Sequence, residues 1–280
     1  MKKIICMILT VVMLMSVVSV FAACGKSQKI KVIDIALTNE QYAFAVKKGD
    51  SELLSSINAF LDEIMKNGKF DEILDKYFGD GTPTKVESAA KDASKSQLVV
   101  ATNAAFAPFE YKEGEYYYGI DMEIMSLYAK SVNKELVIDN MDFDAVCTSV
   151  GQGLCDVAAA GLTINETRQK ILDFSKSYYN ASQMLIVMED NKVFDECKTA
   201  EDVEKILKGY DEKTVGGVQG GTTGQFYAQG DADWGFDGFP FKTQTYNNGA
   251  LAVQAMKNGS ISFVIIDEAP AKRIAETMNK

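Results

Sequence analysis

Three short segments of the sequence carry residues that can bind a charged group. "GLTINETR", residues 161–168, ends in Arg168, whose planar guanidinium can hold a carboxylate through two parallel hydrogen bonds. "FVIID" ends in Asp267, a carboxylate that can pair with a cation or cap the helix that follows it. "QGGTTGQF", residues 219–226, precedes a predicted helix, and backbone amides at a helix N-terminus bind anions. No lysine follows its glycines, so this loop is not a nucleotide-binding P-loop.

The composition argues against several kinds of site. The 280 residues include no histidine, which argues against a zinc site and a Cys-His nucleophile. Cys147, Cys155 and Cys197 have no C-x-x-C spacing, and we interpret them as small buried thiols, leaving a Cys147–Cys155 disulfide open. A formal net charge of −10 with no basic run argues against nucleic acid as a partner. We therefore predict no metal, no cofactor and no nucleic acid.

The N-terminus has the features of an export signal. Two lysines precede an apolar stretch, residues 4–20, that is shorter than a typical membrane span. "FAAC", residues 21–24, resembles the bacterial lipobox, in which a lipid is attached to the cysteine after cleavage. We predict a signal peptide over residues 1–23, a lipid on Cys24 and a tether over residues 24–30. The alternative is an ordinary signal peptide cut before an unmodified Cys24.

Most of the chain alternates between strand-like and helix-like segments. Apolar strands alternate with amphipathic helices from "LVVATN" at residues 98–103 to "QMLIVMED" at residues 183–190, and again over residues 191–280. This alternation predicts βαβ units with mostly parallel sheets, and therefore two α/β units. The second unit ends on a helix with no strand after it.

The first predicted elements have no α/β unit of their own. "KVIDIA" and "YAFAV", residues 31–36 and 42–46, are strand-like, and two helices are expected near residues 51–65 and 70–78. Residues 80–97 lack an apolar stripe and are rich in Ser, Lys, Asp and Ala, which is typical of a linker. A helix of the kind that finishes a domain thus lies in the first third of the chain.

Five motifs together resemble the family-3 extracellular solute-binding proteins, which serve bacterial ABC importers of polar amino acids. The motifs are "LVVATNAAFAPFEY", "MDFDAV", "AAAGLTINETRQKILDFSKSYY", "VGGVQGGTTGQFYA" and "FVIIDEAPA". Residues 41–79 also resemble this family, but its C-terminal end. The resemblance implies a two-lobed α/β fold of the type II periplasmic-binding-protein kind, with two hinge strands, in a circularly permuted order.

The permuted order implies a specific arrangement of the chain. In chain order it is lobe 2 (31–41), a hinge strand (42–46), lobe 1 (47–79), the linker (80–97), lobe 1 (98–183), a hinge strand (184–190) and lobe 2 (191–280). Residues 42–46 should run beside residues 184–188 as paired hinge strands. The helix ending near Asn279 should be continued in space by the strand that starts near Lys31.

The resemblance also implies a binding site for a zwitterionic amino acid. Arg168 would bind the carboxylate, with Thr163 beside it and Thr223 reaching in from the second lobe. Asp267 and the carbonyl of Gly161 would bind the ammonium group. Taken without the resemblance, Arg168 could be a solvated helix residue, and Thr163 and Asp267 could be helix caps.

Four further positions are implied to face the rest of the ligand. Phe106 and Phe143 would enclose its aliphatic part, although single phenylalanines also serve as plain core residues. Gln219 and Asn103 would face the side chain. Asn103 stands where some relatives that bind cationic amino acids have Asp, and Ile266 where a glutamine-binding relative has a polar residue; neither supplies a negative charge.

The sequence therefore predicts a monomeric binding protein, with no catalytic residue, anchored outside the cytoplasm by its lipid. It would capture a polar or neutral L-amino acid between closing lobes and deliver it to an ABC transporter permease. One alternative is an enzyme on the same fold, such as a cyclohexadienyl dehydratase-like lyase, or the binding domain of a murein transglycosylase. Another is an amino-acid-sensing ectodomain. A lyase needs an acid or base aimed at its substrate, and the predicted pocket offers only Asp267.

Overall fold

The computed structural model describes residues 29–280, and the predicted signal peptide and Cys24 lie outside the described residues. The first part contains β1 (Ile30–Ile33), β2 (Glu40–Tyr42), β3 (Ala45–Lys47), α1 (Ser51–Lys66) and α2 (Lys69–Phe78). Residues 79–96 then form no helix or named strand.

Lobe 1 is completed by the elements between residues 97 and 174. They are β4 (Gln97–Thr102), β5 (Ala105–Phe106), β6 (Glu110–Glu113), β7 (Tyr116–Tyr118), α3 (Ile120–Ser131), β8 (Glu135–Asn140), α4 (Phe143–Gly151), β9 (Val157–Ala158), α5 (Glu166–Gln169) and β10 (Leu172–Phe174). The main sheet of lobe 1 has the order β10-β3-β9-β4-β8, and β5-β6-β7 form a small second sheet. β4 is parallel to β8 and β9, whereas β3 is antiparallel to both of its neighbours.

Lobe 2 is built mainly from the last third of the chain. Its elements are β12 (Gln183–Met188), α6 (Ala200–Lys208), β13 (Val215–Gln219), α7 (Thr223–Gln229), a 3₁₀ turn (Ala232–Trp234), β14 (Lys242–Tyr246), α8 (Gly249–Lys257), β15 (Phe263–Asp267) and α9 (Glu268–Met278). The sheet order is β1-β12-β15-β13-β14. β1 pairs antiparallel with β12, so a strand from the start of the chain forms one edge of this sheet.

Two short strands cross between the lobes. β2 pairs antiparallel with β11 (Tyr179–Ala181), with Tyr42 opposite Tyr179 and Glu40 opposite Ala181. We expected residues 42–46 to run beside residues 184–188, and that pairing is wrong. β2 ends at Tyr42, β3 starts at Ala45 inside the sheet of lobe 1, and β12 lies inside the sheet of lobe 2. The apolar run "YAFAV" therefore belongs to two strands rather than one.

The early helices pack on lobe 1. The Asp50 side chain caps α1 by accepting from Leu53 N, and Ile57, Leu61 and Ile64 form its buried face. The Tyr128 hydroxyl of α3 donates to Ser56 Oγ of α1 at 2.9 Å. Lys76 of α2 forms an ion pair with Glu123 of α3, which is buried. These contacts join residues 51–78 to the same core as residues 97–174.

The segment predicted as a linker is attached to lobe 1 along its length. Val86 is buried and its backbone pairs with Tyr117 through two hydrogen bonds of 2.9 Å. Ala89 N donates to Leu136 O, and Ser88 Oγ accepts from Ile138 N, both at 2.8 Å. The composition of this segment did not indicate these contacts, because most of them are made by backbone groups.

The last helix of the chain meets its first described strand. Asn279 Oδ1 accepts from Ile30 N at 2.9 Å, and Asn279 Nδ2 donates to Ile30 O at 2.8 Å. The Asn279 side chain thus forms hydrogen bonds with both the N–H and the C=O of Ile30, the first residue of β1, as the backbone of a neighbouring strand would.

Candidate functional site

A small cavity lies between the two lobes. Eight of the nine residues predicted for the site line it, and within residues 29–280 Thr222 is the only further lining residue. Lobe 1 contributes Phe106, Phe143, Gly161, Thr163 and Arg168; lobe 2 contributes Gln219, Thr222, Thr223 and Asp267. Residues that are separated by up to 161 positions in the sequence therefore converge on one space.

Arg168 is held rigidly at the wall of this cavity. It lies on α5, which the Asn165 side chain caps by accepting from Arg168 N at 2.8 Å. Its Nη1 donates to Thr163 O at 2.7 Å, and its Nη2 donates across the cleft to Gly221 O at 3.1 Å. The side chain is buried, at 7% exposure, and this burial lowers the pKa of its guanidinium. It is not the solvated helix residue of the alternative interpretation.

Two aromatic rings lie against the guanidinium of Arg168. Its Cζ is 5.4 Å from the ring centre of Phe143 in lobe 1 and 5.2 Å from that of Trp234 in lobe 2. Distances of this size allow a cation–π interaction. Phe143 was predicted for the site, but Trp234 was not, because it lies beyond the glycine-rich loop and no motif marks it.

Asp267 supplies the one carboxylate that the described part of the chain places in the cavity lining. It occupies the N-cap position of α9, yet its side chain makes no capping hydrogen bond. It accepts instead from the hydroxyl of Tyr42, which lies on the crossing strand β2. Burial, together with the nearby charge of Glu40, raises the pKa of Asp267 to about 7. The capping alternative therefore does not describe its side chain.

Thr163 is connected to a second buried carboxylate, Glu40. The Thr163 hydroxyl donates to Glu40 Oε2 at 2.7 Å, while Glu40 Oε1 accepts from Thr38 Oγ1 at 2.6 Å and from Gln183 Nε2 at 2.9 Å. The Thr223 hydroxyl approaches Thr163 Oγ1 at 3.4 Å from the other lobe. Glu40 was not predicted as a site residue, because an acidic residue on a short strand is expected to be exposed unless its hydrogen-bond partners are known.

Gly161 is required by its conformation and its neighbours. Its φ of +51° lies in the left-handed region, and a Cβ there would come within 2.8 Å of the Phe106 ring. Its N–H donates to Asp121 Oδ2 at 3.0 Å, and Asp121 also accepts from the Tyr178 hydroxyl at 2.7 Å. Burial raises the pKa of Asp121 to about 7. A buried carboxyl thus fixes the turn at the cavity wall.

A hydrogen bond between Asn103 and Gln219 joins the two lobes at the cavity. Gln219 Nε2 donates to Asn103 Oδ1 at 3.0 Å, and Asn103 Nδ2 donates to Met141 O at 2.7 Å. Gln219 Oε1 is buried and has no hydrogen-bond partner among the described residues. Asn103 is the one predicted site residue that does not itself line the cavity.

The remaining predictions on chemistry concern thiols, metals and membrane spans. Cys147 and Cys155 are free thiols, so the disulfide that was left open does not form. Between residues 29 and 280 no group of three His, Cys, Asp or Glu side chains could hold a metal ion. Over the same range, no helix is both long and apolar enough to cross a lipid bilayer.

Comparison with known proteins identifies the family. A model of the bacterial extracellular solute-binding proteins, family 3, matches residues 8–80 and 98–265, which is most of the chain. The chain belongs to this family. The resemblance stated from the motifs is confirmed.

Individual members of family 3 are similar over about two thirds of the chain. The arginine-binding extracellular protein ArtP of Bacillus subtilis is 28% identical over 185 residues, which is 66% of this chain and 66% of ArtP. A probable histidine-binding protein of Neisseria gonorrhoeae is 29% identical over 185 residues, 65% of this chain and 63% of that protein. The chain therefore spans slightly less than two thirds of these relatives' own length. Both names describe binding proteins, in agreement with the prediction that the chain is not an enzyme.

Solved structures of amino-acid-binding proteins have a similar fold. An ancestral arginine-binding protein bound to arginine has 32% identity and a TM-score of 0.54, over 65% of this chain and 75% of its own. The ancestral amino acid-binding protein AncCDT-1, a precursor of cyclohexadienyl dehydratase, has 25% identity and a TM-score of 0.55, over 75% and 78%. The predicted two-lobed α/β fold is confirmed.

Proposed function

We propose that this protein binds a free, polar or neutral L-amino acid between its two lobes. The observation that carries the proposal is that one cavity is lined by a buried cation, Arg168, from one lobe and a buried carboxylate, Asp267, from the other. A free amino acid has one group of each sign, and a buried charge requires an opposite charge and hydrogen bonds. A ligand that bridges the two charges also bridges the two lobes, which couples binding to their closure.

Each charged group of the ligand has a defined partner in this proposal. The guanidinium of Arg168 uses donors on Thr163 O and Gly221 O and has five N–H groups in total, so donors remain for a carboxylate. The proton of the Thr163 hydroxyl goes to Glu40, so toward a ligand this oxygen can only accept. That favours contact with the ammonium group rather than with the carboxylate, which modifies the role first inferred for Thr163.

The lining favours a ligand whose side chain carries no positive charge. Among the described residues of the lining, Asp267 is the only carboxylate and is assigned to the ammonium group, while Gln219 presents an amide that is hydrogen-bonded to the amide of Asn103. The unpartnered Oε1 of Gln219 accepts a hydrogen bond but supplies no charge. This protein would then differ in ligand from the relatives named for arginine and histidine.

Calorimetric titration of the purified protein, without residues 1–23, against the twenty common L-amino acids and cystine tests the proposal. We expect one or a few polar or neutral amino acids to bind far more tightly than lysine, arginine and histidine. Tightest binding of a cationic amino acid would contradict the specificity. Binding of none would contradict the function, and turnover of prephenate or arogenate would favour the lyase alternative.

The anchor and the transport partner belong to the same proposal. A lipid on Cys24 would hold the protein at the membrane, and the ligand would pass to an ABC transporter permease. The first described strand, β1, lies in lobe 2, so the tether would attach to that lobe. Incorporation of labelled palmitate into the wild type but not into Cys24→Ser tests the anchor.

The order of the chain supports a circular permutation of the family's fold. The Asn279–Ile30 hydrogen bonds place the end of α9 beside the start of β1, as expected where an uninterrupted chain would continue. The family model matches in two separate stretches, 8–80 and 98–265. Alignments in chain order can follow only one collinear stretch, and the 185 residues aligned with ArtP are close to the 183 residues from position 98 to 280. We therefore assign residues 29–39 and 183–280 to lobe 2, and residues 43–178 to lobe 1.

A further inference from the structure

Trp234 is the only tryptophan of the sequence, and it lies beside the arginine that lines the cavity. It belongs to lobe 2, whereas Arg168 and the second ring on its guanidinium, Phe143, belong to lobe 1. The guanidinium is therefore enclosed between one ring from each lobe. Phe143 stays with Arg168 whatever the separation of the lobes, but Trp234 can reach it only where the lobes meet.

The position of Trp234 is fixed by contacts within lobe 2. The Asp231 side chain accepts from Trp234 N at 3.2 Å, and the backbone of Asp231 pairs with Phe236 to close the loop. The Trp234 ring packs on Phe226 of α7, with ring centres 4.6 Å apart. Since α7 directly follows the loop "QGGT", the same element carries both Thr223 in the cavity and the support for Trp234.

Two more contacts cross the cleft beside this ring. Arg168 Nη2 donates to Gly221 O, and Lys170 forms an ion pair with Asp233 at 2.8 Å. Lys170 and Asp233 are 63% and 61% exposed, so their ion pair contributes little in water. Arg168 is buried, and cation–π attraction is larger for a desolvated cation. Of the contacts that residues 231–236 make across the cleft, we expect the contact of the Trp234 ring with Arg168 to contribute most to ligand affinity.

We propose that Trp234 is a positioning residue of the ligand site, which closes over the guanidinium of Arg168 and shields its contact with the ligand carboxylate from water. The inference rests on the proposed function and extends it. Excluding water strengthens the attraction between the guanidinium and a carboxylate. Because the ring arrives with lobe 2, it acts after the ligand has entered, and its loss should speed ligand release more than it slows capture.

The test compares Trp234→Ala, Trp234→Leu and Trp234→Phe with the wild type. The tightest binder among the twenty common L-amino acids serves as the probe, measured by calorimetry for affinity and, in tritiated form, by rapid filtration for the release rate. We expect Trp234→Ala and Trp234→Leu to weaken binding by about 5- to 30-fold, mainly through faster release. Trp234→Phe, which keeps an aromatic face, should stay within about threefold of the wild type.

Asp233→Asn is the matched control, since it removes the neighbouring ion pair across the cleft but leaves the ring; it should change affinity by less than about threefold. Unchanged release from both Trp234→Ala and Trp234→Leu would overturn the inference while leaving the proposed function intact. Equal weakening in Trp234→Phe and Trp234→Leu would also overturn it, because bulk alone would then explain the effect. A wild type that binds none of the twenty amino acids would overturn the proposed function, and this inference with it.

Discussion

The hydroxyl of Tyr42 donates a hydrogen bond to the carboxylate of Asp267. Tyr42 lies on β2, one of the two strands that cross between the lobes, and Asp267 ends β15 in lobe 2 and lines the cavity. The carboxylate proposed to bind the ligand's ammonium group is therefore hydrogen-bonded directly to a strand that crosses between the lobes. If the lobes close on the ligand as proposed, this contact would connect the site to the crossing strand without an intermediate residue.

Replacing Arg168 with alanine should abolish ligand binding while the protein stays folded. Leaving the carboxylate of a bound amino acid without its buried partner costs on the order of 2–5 kcal/mol, which corresponds to about 30-fold or more in affinity. Calorimetry measures the affinity, and circular dichroism checks the fold. Lys170→Ala is the control, because Lys170 lies two residues away but is exposed. An Arg168→Ala variant that binds within threefold of the wild type would remove Arg168 from the site.

Ligand affinity should fall as the pH is lowered through 7. Burial and the charge of Glu40 raise the pKa of Asp267 to about 7, so below that pH the carboxylate is neutral in the free protein. A neutral acid attracts an ammonium group weakly, and affinity should therefore drop by about tenfold per pH unit below 7 and be constant above about pH 8. Calorimetry from pH 5.5 to 8.5 measures this slope. Asp267→Asn should bind weakly and lose the slope; the same slope in this variant would assign the titration to another group.

Replacing Asn103 with aspartate should shift the ligand preference toward lysine and arginine. The new carboxylate keeps the acceptor for Gln219 Nε2, loses the donor to Met141 O and adds a negative charge where the amide of Asn103 now lies. The measurement is the ratio of arginine affinity to that of the best neutral amino acid. Asn140→Asp, at an exposed position that ends the neighbouring strand β8, adds the same charge outside the cavity and serves as the control. No change in the ratio for Asn103→Asp would show that Asn103 does not face the ligand side chain.

The proposed circular permutation predicts that a chain rearranged into the family's usual order keeps its fold and its ligand binding. In the rearranged chain, residues 80–280 come first and residues 29–79 follow, joined directly at Lys280 and Lys29, so that the segment holding Val86 is kept. The Asn279–Ile30 hydrogen bonds show that this junction needs no long connection. We expect ligand affinity within about threefold of the wild type, since the joined ends lie at the surface.

A rearranged chain cut between Gly216 and Gly217 is the matched control for this experiment. The cut falls inside β13, which pairs with strands on both sides, so this chain should not fold. Failure of the first rearrangement to fold would contradict the permutation.

Local signals in the sequence were sufficient for many elements of the fold. α6 (Ala200–Lys208) is one of the amphipathic helices expected over residues 191–280, and Thr199 and Asp202 form a capping box at its start. α1 begins where Asp50 provides a cap and extends one residue beyond the expected end. Such features depend on residues three or four positions apart, so the sequence displays them directly.

Features that depend on distant partners could not be predicted in this way. "YAFAV" reads as one apolar strand, but the choice between β11, β9 and β10 as partners splits it into β2 and β3. Glu40 is recognised as a neighbour of the site only from its hydrogen bond with Thr163, and Trp234 only from its contact with Arg168. Each partner is more than 60 positions away in the sequence. Eight of the nine site residues inferred from the family do line one cavity. They could be inferred because each lies in or beside a sequence motif that resembles the family.

Binding of chemically blocked ligands tests the central claim most directly. The claim is that the site recognises the two opposite charges of a free amino acid, through Arg168 and Asp267. The measurement is calorimetric titration of the wild type with the tightest-binding amino acid, its N-acetyl derivative and its C-terminal amide. The account predicts that each blocked derivative binds at least about 30-fold more weakly than the free amino acid. Binding of either derivative within threefold of the free amino acid would contradict it.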